Sequence, residues 1–313
     1  MKAARGVKRP MVGCGIGVFS PSEPITPSRQ LRINEQDVSL NRYGHTLVFA
    51  NNWLAHDAFQ AGSPAQRVSD ISWLLKNEKT DLLIASWGGK SCSHLLKSFD
   101  YSLAEKMEKP ILAFSDGCTL LNAITTKSRI VTFYGPNVLG KLDESGFGDL
   151  RQFFSGEGFS DIDLKFPNEQ AIVFGGKTAT GVLVGGNLSS FAVSVLGSKY
   201  EPEFDELILF LESGGKTPQE FDFLVTSICN SRLMDRVKGI IFGDLPERTD
   251  ERWGNDKSIS DILEIHFSNL GIPVYLSPFF GHRNLPNPSI PIGALATLDT
   301  ARGILQIESE CLK

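Results

Sequence analysis

Residues 109–124 read KPILAFSDGCTLLNAI, and this stretch indicates a strand, a tight turn and a helix. The apolar run 111–114 has the length and composition of a buried strand, whereas residues 119–124 suit the start of a helix. Ser115-Asp116-Gly117 is left to make the turn between them. A buried strand that passes through a tight turn into a helix is typical of a parallel sheet, at the edge where its strands end. We therefore expect Ser115 at the carboxyl edge of a parallel α/β sheet.

Two interpretations of Ser115 follow from this corner. Such a turn can lift a serine hydroxyl out of the core and aim helix amides at a bound group, as in the nucleophile elbow of serine hydrolases. Alternatively, Ser115 or Asp116 caps the helix by accepting a hydrogen bond from its first turn. The elbow pattern G-x-S-x-G is only half met, because position 113 is alanine. The local sequence leaves both interpretations open.

The rest of the first half alternates short apolar runs with stretches of helical period. Five runs are predicted as strands: residues 12–19, 46–49, 82–86, 111–114 and 130–133. Residues 63–75 open with Ser63-Pro64, a capping residue followed by a first-turn proline, and predict a helix on the sheet face. Strands that alternate with helices predict an α/β domain built on a parallel sheet.

The alternation ends in residues 142–170, a stretch rich in Gly, Asp, Ser and Phe. We therefore predict an N-terminal domain over residues 1–141, a linker over 142–170 and a C-terminal domain over 171–313. In the C-terminal domain helices are predicted over 221–235 and 258–270. Strands are predicted there over 171–174, 181–184, 207–211, 239–242, 274–276, 294–299 and 303–308. This mixture predicts a β-rich α/β domain and not a second doubly wound sheet.

Charge and cysteine content exclude several classes of protein. The 313-residue chain has a formal net charge of -5, so no basic excess indicates nucleic acid or an anionic membrane as a partner. No apolar run approaches the roughly 20 residues that cross a bilayer, and the basic first ten residues lack the apolar core of a signal peptide. The five cysteines form no zinc-binding spacing. We expect a cytoplasmic protein with a small ligand, no metal and no cofactor.

A second glycine corner lies upstream, where the predicted strand 82–86 ends in Trp87-Gly88-Gly89-Lys90-Ser91. Paired glycines allow a backbone N–H to face a ligand closely, and neighbouring strands of one sheet would bring that N–H near Ser115. Such an amide could stabilise an oxyanion. A plain turn that closes the loop explains the same glycines equally well.

A hydroxyl nucleophile needs a base, normally histidine, and a carboxylate that orients the base. Of the five histidines, His282 lies in FFGHRNLPNPSIPIG, where Gly281 and nearby prolines fix a loop, and the other four lack such a scaffold. Glu212 ends the apolar strand 207–211, and a low dielectric there would strengthen its bond to an imidazolium. The alternative is a strand-end glutamate that faces water.

Eight segments that follow one another along the chain carry a family resemblance: IGVFSPSEPIT, SPAQRVSDISWLL, ASWGGKSCSHLLKSFDY, ILAFSDGCTLLNAI, FYGP, GVLVGGNLSS, LILFLES and GHRNLPNPSIPIGALATLD. In this order they resemble the serine LD-carboxypeptidase family, which includes muramoyl-tetrapeptide carboxypeptidases and microcin C immunity proteins. The resemblance implies a flavodoxin- or Rossmann-like N-terminal domain and a C-terminal β-rich domain of the swivelling β-barrel type. It also implies a homodimer that needs no metal.

The same resemblance implies a catalytic triad divided between the domains. Ser115 corresponds to the family's nucleophile, His282 to its general base and Glu212 to the carboxylate that orients the base. The backbone amides of Gly89 and Asp116 correspond to its oxyanion hole. The predicted reaction is cleavage of an amide bond, and the predicted partner is a small peptide or peptidyl-nucleotide substrate.

Departures from the family pattern bear on that substrate. Carboxypeptidases of the family commonly have RGGYG and HGP where this chain has WGGKS and YGP, and both replacements resemble the microcin-immunity branch. However, residues 142–170 contain no Trp or Tyr that could stack on a nucleotide base. Further candidates for polar contacts with the substrate are Ser91, Asn187 and Arg283.

Two alternative functions belong to other classes of protein. A nucleotide-binding oxidoreductase could be drawn from Gly13-Cys14-Gly15-Ile16-Gly17, but the spacing is not G-x-G-x-x-G and the proline-rich segment that follows is predicted to be non-helical. A catalytically inactive small-ligand-binding protein on the same fold stays open, because a sequence gives residue types and not distances.

Overall fold

A computed structural model describes residues 2–140, 150–154, 159, 161–166, 170–245, 247–249, 252, 257–283 and 287–313. The chain divides into two compact units. The N-terminal unit consists of Ala4–Phe159, Pro288–Gly293 and Glu310–Lys313. The C-terminal unit consists of Met1–Ala3, Ser160–Asn287 and Ala294–Ser309. Each unit therefore contains pieces from separate parts of the sequence.

The described residues form strands and helices as follows. The strands are β1 (Gly15–Phe19), β2 (Thr46–Phe49), β3 (Thr80–Ala85), β4 (Ile111–Ala113), β5 (Thr132–Tyr134), β6 (Ile162–Asp163), β7 (Ile172–Phe174), β8 (Thr178–Asn187), β9 (Leu207–Glu212), β10 (Val237–Phe242), β11 (Val274–Leu276), β12 (Ile290–Ile292), β13 (Leu295–Asp299) and β14 (Ile304–Ile307). The helices are α1 (Pro27–Asn41), α2 (Pro64–Lys76), α3 (Tyr101–Met107), α4 (Cys118–Ser128), α5 (Arg151–Phe154), α6 (Leu188–Ser194), α7 (Pro218–Cys229) and α8 (Ile259–Phe267). No described helix has the length and apolar character needed to cross a membrane.

The N-terminal unit is built on a six-stranded sheet in the order β12-β5-β4-β3-β1-β2. Strands β5, β4, β3, β1 and β2 are parallel, and β12 pairs antiparallel with β5 at the edge. The central strands β1, β3 and β4 are almost entirely buried, as expected of strands covered on both faces. The prediction of a parallel α/β domain is confirmed.

Helix α2 shows why the prediction from Ser63-Pro64 was correct. The Ser63 side chain accepts a hydrogen bond from the Gln66 amide, and the Gln66 side chain in turn accepts one from the Ser63 amide. This reciprocal capping box satisfies two amides that the helix itself leaves without partners. The buried face of α2 includes Ile71, Leu74 and Leu75, which recur at helical spacing.

The proline-rich segment after β1 is non-helical over residues 20–26, as predicted, but helix α1 (Pro27–Asn41), which was not predicted, begins at the end of that segment. The proline-rich stretch ends in a helix start: Thr26 is the N-cap, its side chain accepts a hydrogen bond from the Arg29 amide, and Pro27 opens the first turn. Only Ile33 and Leu40 of this helix are buried, so its apolar period is faint. The predicted first strand was also too long, since Val12 is 73% exposed and β1 begins at Gly15.

The C-terminal unit contains an eight-stranded mixed sheet in the order β6-β14-β13-β8-β9-β10-β11-β7. Its centre, β8 to β11, is parallel, and antiparallel strands flank that centre on both sides. This confirms a β-rich α/β unit. Among the described residues the two end strands of this sheet are β6 and β7.

Two further predictions of secondary structure differ from the structure. The helix predicted over 221–235 ends at Cys229, after which Arg232–Arg236 forms a separate 3₁₀ turn. Strand β12 was not predicted, and it adds residues from the predicted C-terminal domain to the sheet of the N-terminal unit. The predicted linker, residues 142–170, lies in large part outside the described residues, so its bounds stay a prediction.

Candidate active site

Ser115 occupies a strained corner of the N-terminal unit. Strand β4 ends at Ala113, and the 3₁₀ turn Ser115–Gly117 leads directly into α4. Ser115 has φ of 58°, a left-handed conformation that is uncommon for residues other than glycine and tends to occur at functional sites. The Ser115 amide donates to Tyr134 Oη at 3.1 Å, and the Phe114 amide donates to Asn137 Oδ1 at 3.0 Å. These contacts hold the backbone in the form expected of a nucleophile elbow.

The alternative that Ser115 or Asp116 merely caps the helix is not what the structure shows. The N-cap positions of the 3₁₀ turn and of α4 are Phe114 and Gly117, and neither makes a side-chain capping bond. The Asp116 carboxylate instead turns toward the neighbouring corner, where its Oδ2 accepts from the Ser91 and Cys92 amides at 3.1 and 3.2 Å. The Asp116 carboxylate therefore binds the loop after β3 and does not cap α4.

The glycine corner that follows β3 lies against Ser115, as expected because β3 and β4 are neighbours. A Cβ atom on Gly88 would come within 2.9 Å of Ser115 Cβ, and one on Gly89 would come within 2.3 Å of Ser22 Oγ. Both positions thus require glycine. The Asp116 amide lies in the first turn of the 3₁₀ helix, where N–H groups have no partner within the helix.

Arg67 is a buried side chain that connects Pro21 with Ser91, the residue after the glycine corner. Its Nη1 donates to Pro21 O at 2.6 Å and to both the carbonyl and hydroxyl oxygens of Ser91 at 3.2 Å. Arg67 is 3% exposed and Ser91 2% exposed. Burial raises the pKa of Asp116 by more than its hydrogen bonds lower it. Ser91 thus supports the corner, and its predicted contact with substrate stays a prediction.

We expect Arg67→Leu to lower the free energy of unfolding by about 3 kcal/mol, because it leaves several buried carbonyl and hydroxyl oxygens without their charged donor. Urea denaturation followed by circular dichroism measures the change. Arg42→Leu, at an exposed position after α1, is the matched control and should change stability by less than about 0.5 kcal/mol. Equal effects of the two substitutions would show that Arg67 does not hold the corner.

Glu212 is the centre of a second cluster, in the C-terminal unit. It ends β9 and pairs in register with Asn187, which ends the parallel strand β8. The Glu212 side chain is fully buried; its Oε2 accepts from His282 Nδ1 at 2.5 Å and its Oε1 accepts from Asn187 Nδ2 at 3.2 Å. Asn187 Oδ1 also accepts from the Ser190 amide at the start of α6. Asn187 therefore positions the carboxylate, while its predicted contact with substrate stays a prediction.

The loop that carries His282 is held at two points. The Gly281 amide donates to Asn287 Oδ1 at 2.7 Å, and Asn287 Nδ2 donates back to Gly281 O at 3.0 Å. Asp244 binds the other side, accepting from the Arg283 amide at 3.1 Å and from Arg283 Nε at 2.6 Å. Gly281 has φ of 145°, and a Cβ there would come within 2.3 Å of Asp244 Cβ. Arg283 thus anchors the loop, and its predicted contact with substrate stays a prediction.

The charges around His282 favour its protonated form. Burial lowers the pKa of the imidazole, but the hydrogen bond and the negative charge of Glu212, together with the charge of Asp244, raise it further than burial lowers it. The cation of Lys216 opposes this rise. The net direction is upward from the ordinary value. A carboxylate that stabilises an imidazolium is what a general base requires when it takes up a proton.

Sequence reasoning missed two residues that position these clusters, Asp244 and Arg67. Asp244 follows β10 closely, just as Glu212 ends β9, so the rule that selected Glu212 could have found it. No comparable pattern marks Arg67, which lies on α2 among exposed neighbours in the sequence. Within the described part of the chain, no group of three or more His, Cys, Asp or Glu side chains could hold a metal ion.

The fold and these two clusters define a class of protein. One unit presents a strained serine beside a glycine corner, and the other presents a buried carboxylate bound to a histidine, which are the residue types of a serine hydrolase. Residues 16–135 match the family model of the LD-carboxypeptidase N-terminal domain, and residues 180–298 match that of the C-terminal domain. The chain belongs to the LD-carboxypeptidase family of serine peptidases, which confirms the resemblance found in its motifs.

Individual relatives agree with this family over nearly full length. A protein of Bacillus subtilis named probable murein peptide carboxypeptidase is 24% identical, covering 95% of this chain and 92% of its own. The microcin C7 self-immunity protein MccF of Escherichia coli is 26% identical, covering 92% of this chain and 91% of its own. A solved structure of MccF in complex with glutamyl sulfamoyl guanosine has a TM-score of 0.86 over 100% of both chains at 22% identity, which shows the shared fold.

Proposed function

We propose that Ser115, His282 and Glu212 form the catalytic triad with which this serine carboxypeptidase cleaves an amide bond in a small peptide or peptide conjugate. The observation that carries the proposal is the hydrogen bond of 2.5 Å from His282 Nδ1 to the fully buried Glu212. It favours the tautomer in which Nε2 carries the lone pair, so the ring can take a proton from a hydroxyl. The strained φ of Ser115 supports its role as that hydroxyl.

The proposed reaction is acyl transfer in two steps. The Ser115 hydroxyl attacks the scissile carbonyl while His282 takes its proton, and Glu212 stabilises the imidazolium that forms. The amides of Gly89 and Asp116 donate to the oxyanion of the tetrahedral intermediate. His282 then returns the proton to the leaving amine, and a water molecule, activated in the same way, releases the acyl group from Ser115.

Two substrate classes are compatible with the relatives. One is an L,D-linked muropeptide, suggested by the murein peptide carboxypeptidase, and the other is an aminoacyl-nucleotide conjugate, suggested by MccF. Incubating the protein with an L,D-linked muropeptide and with an aminoacyl sulfamoyl-adenylate, using Ser115→Ala as the blank, tests both. We expect the wild type to hydrolyse at least one of them and the blank neither. Binding of a substrate without any turnover would favour the inactive binding protein instead.

We further infer that the protein acts as a cytoplasmic homodimer. The family resemblance supports the dimer, and the odd number and scattered positions of the five cysteines support a reducing compartment. Multi-angle light scattering of the purified protein checks the oligomeric state. A monomer at micromolar concentration would contradict the dimer without affecting the triad.

The raised pKa of His282 predicts how activity depends on pH. Because the base works in its neutral form, kcat/KM should fall as the pH drops through a midpoint above 6.5, the ordinary pKa of histidine. Asp244→Asn removes one of the negative charges that raise this pKa, so it should move the midpoint to lower pH. A pH–rate profile of each protein measures the shift. Asp205→Asn, at an exposed position, is the control and should leave the midpoint in place, and a midpoint unmoved in Asp244→Asn would refute the assignment.

A further inference from the structure

A cleft in the N-terminal unit is not used by the proposed triad. It has a volume of about 810 Å³, within the range typical of small-molecule sites. It lies between the first turn of α1 and the corner that follows β3. The side chains that matter for its chemistry are Glu23, Arg29, Arg32, Phe59, Trp87 and Lys90.

The cleft is positively charged on a chain whose net charge is negative. Of the described side chains that line it, three are cationic and one is acidic. Arg29 is already engaged: its Nη2 donates to Glu23 at 2.8 Å, and its guanidinium lies 5.0 Å from the centre of the Trp87 ring. The charges of Glu23 and Arg29 offset each other, so Arg32 and Lys90 give the cleft its positive potential.

Arg32 and Lys90 can both donate hydrogen bonds to a ligand in the cleft. The guanidinium of Arg32 donates from Nη2 to Leu139 O at 2.6 Å, which fixes the side chain and, within the described part of the chain, uses one of its five N–H groups. Lys90 is exposed, and its ammonium has three donors. The amino end of the 15-residue helix α1 adds a favourable dipole for an anion. Phe59, which is 67% exposed, and Trp87 supply apolar surface beside these donors.

The cleft adjoins the nucleophile through the chain itself. Trp87 and Lys90 line the cleft, and Gly88 and Gly89, the two residues between them, form the corner that lies against Ser115. A group bound in the cleft would therefore contact the same loop, residues 87–90, that lies against Ser115. This continuity makes an isolated effector site a poorer explanation than a part of the substrate site.

We propose that this cleft is an anion-binding subsite in which Arg32 and Lys90 hold a carboxylate or phosphate-type group of the substrate. The proposal rests on the proposed function, since it identifies the occupant as the charged end of the molecule that Ser115 cleaves. Phe59 and Trp87 then contact the apolar or ring-bearing part next to that charge. The preferred substrates are accordingly anionic conjugates, and neutral ones bind weakly.

The test measures binding directly and needs no turnover. Phenyl phosphate, phenylacetate and benzyl alcohol serve as probes, because they share one ring and differ in the charged group. Ligand-observed NMR titrations give the Kd of each probe for the wild type, for Arg32→Ala and for Lys90→Ala. Arg42→Ala removes the same charge at the exposed carboxyl end of α1 and is the matched control.

We expect at least one anionic probe to bind the wild type more tightly than benzyl alcohol, with a Kd that rises about 10-fold in Arg32→Ala and in Lys90→Ala but stays within 2-fold in Arg42→Ala. The order of phenyl phosphate and phenylacetate distinguishes a phosphate-type occupant from a carboxylate. Equal Kd values in all four proteins, equal losses in the control, or no preference for the anions would each overturn the subsite. Because hydrolysis is measured separately, a failed subsite leaves the triad standing, and a failed triad leaves the measured Kd values valid.

Discussion

Ser115→Ala should lower kcat by about 10³-fold or more while substrate binding stays largely intact. The substitution removes the hydroxyl that forms the acyl intermediate, but it leaves the glycine corner and the hydrogen bond between His282 and the buried Glu212 unchanged. Steady-state kinetics on the hydrolysed substrate, combined with calorimetric binding of the same substrate to the variant, measure both quantities.

The control for this result is Ser98→Ala, which removes an exposed serine hydroxyl from the same unit. It should retain the wild-type kcat. A Ser115→Ala protein that is folded, free of wild-type contamination and still turns over at the wild-type rate would sink the proposed mechanism.

Glu212→Gln should lower kcat by roughly 10³- to 10⁴-fold, an effect nearly as large. The neutral amide cannot stabilise an imidazolium, and its NH₂ group can donate to Nδ1, which favours the wrong tautomer of His282. The size of the side chain is conserved, so the pairing of β8 with β9 should survive. The measurement is kcat at several pH values, with circular dichroism to establish that the variant is folded.

An exposed glutamate of the same unit supplies the comparison. Glu203→Gln removes the same charge away from β9 and should leave kcat within 2-fold of the wild type. If Glu212→Gln lowers kcat no more than Glu203→Gln does, Glu212 is a structural residue and His282 has another orienting partner.

Much of the fold was predictable wherever buried strands form continuous apolar runs. Residues 46–49 and 274–276 were predicted to the residue, because each run is short and rich in the β-branched and aromatic residues that strands favour. Helix α2 could be predicted from its capping sequence. In these places local preference and tertiary burial agree, so a single sequence suffices.

The two elements that were not predicted, β12 and α1, lie where local sequence preference and tertiary context disagree. Strand β12 has Pro291 at its centre, which argues against a strand interior, yet an edge strand tolerates a proline. Helix α1 buries only Ile33 and Leu40, so its period was weak beside the preceding prolines. Neither feature could be recovered from propensity alone, because the deciding contacts come from distant segments.

The candidate site also combines features that the local sequence predicts with features that depend on distant contacts. Ser115, Glu212 and His282 could be selected because each lies at a strand end or in a loop fixed by glycine and proline. The pairing of Glu212 with His282 joins residues 70 positions apart, and that of Asp244 with Arg283 joins residues 39 positions apart. Such pairings depend on which strands become neighbours, and residue types alone do not reveal them.

Strand β12, which comes late in the chain, completes the sheet of the N-terminal unit, so that sheet cannot be finished early in synthesis. Strand β5 ends at Tyr134, but its outer partner β12 is made about 160 residues later. At typical translation rates of about 5–20 residues per second, the edge of β5 waits roughly 8 to 30 s for that partner. An uncovered strand edge can pair with other chains. Until β12 is synthesised, the edge of β5 is therefore a site at which this sheet can pair with another chain.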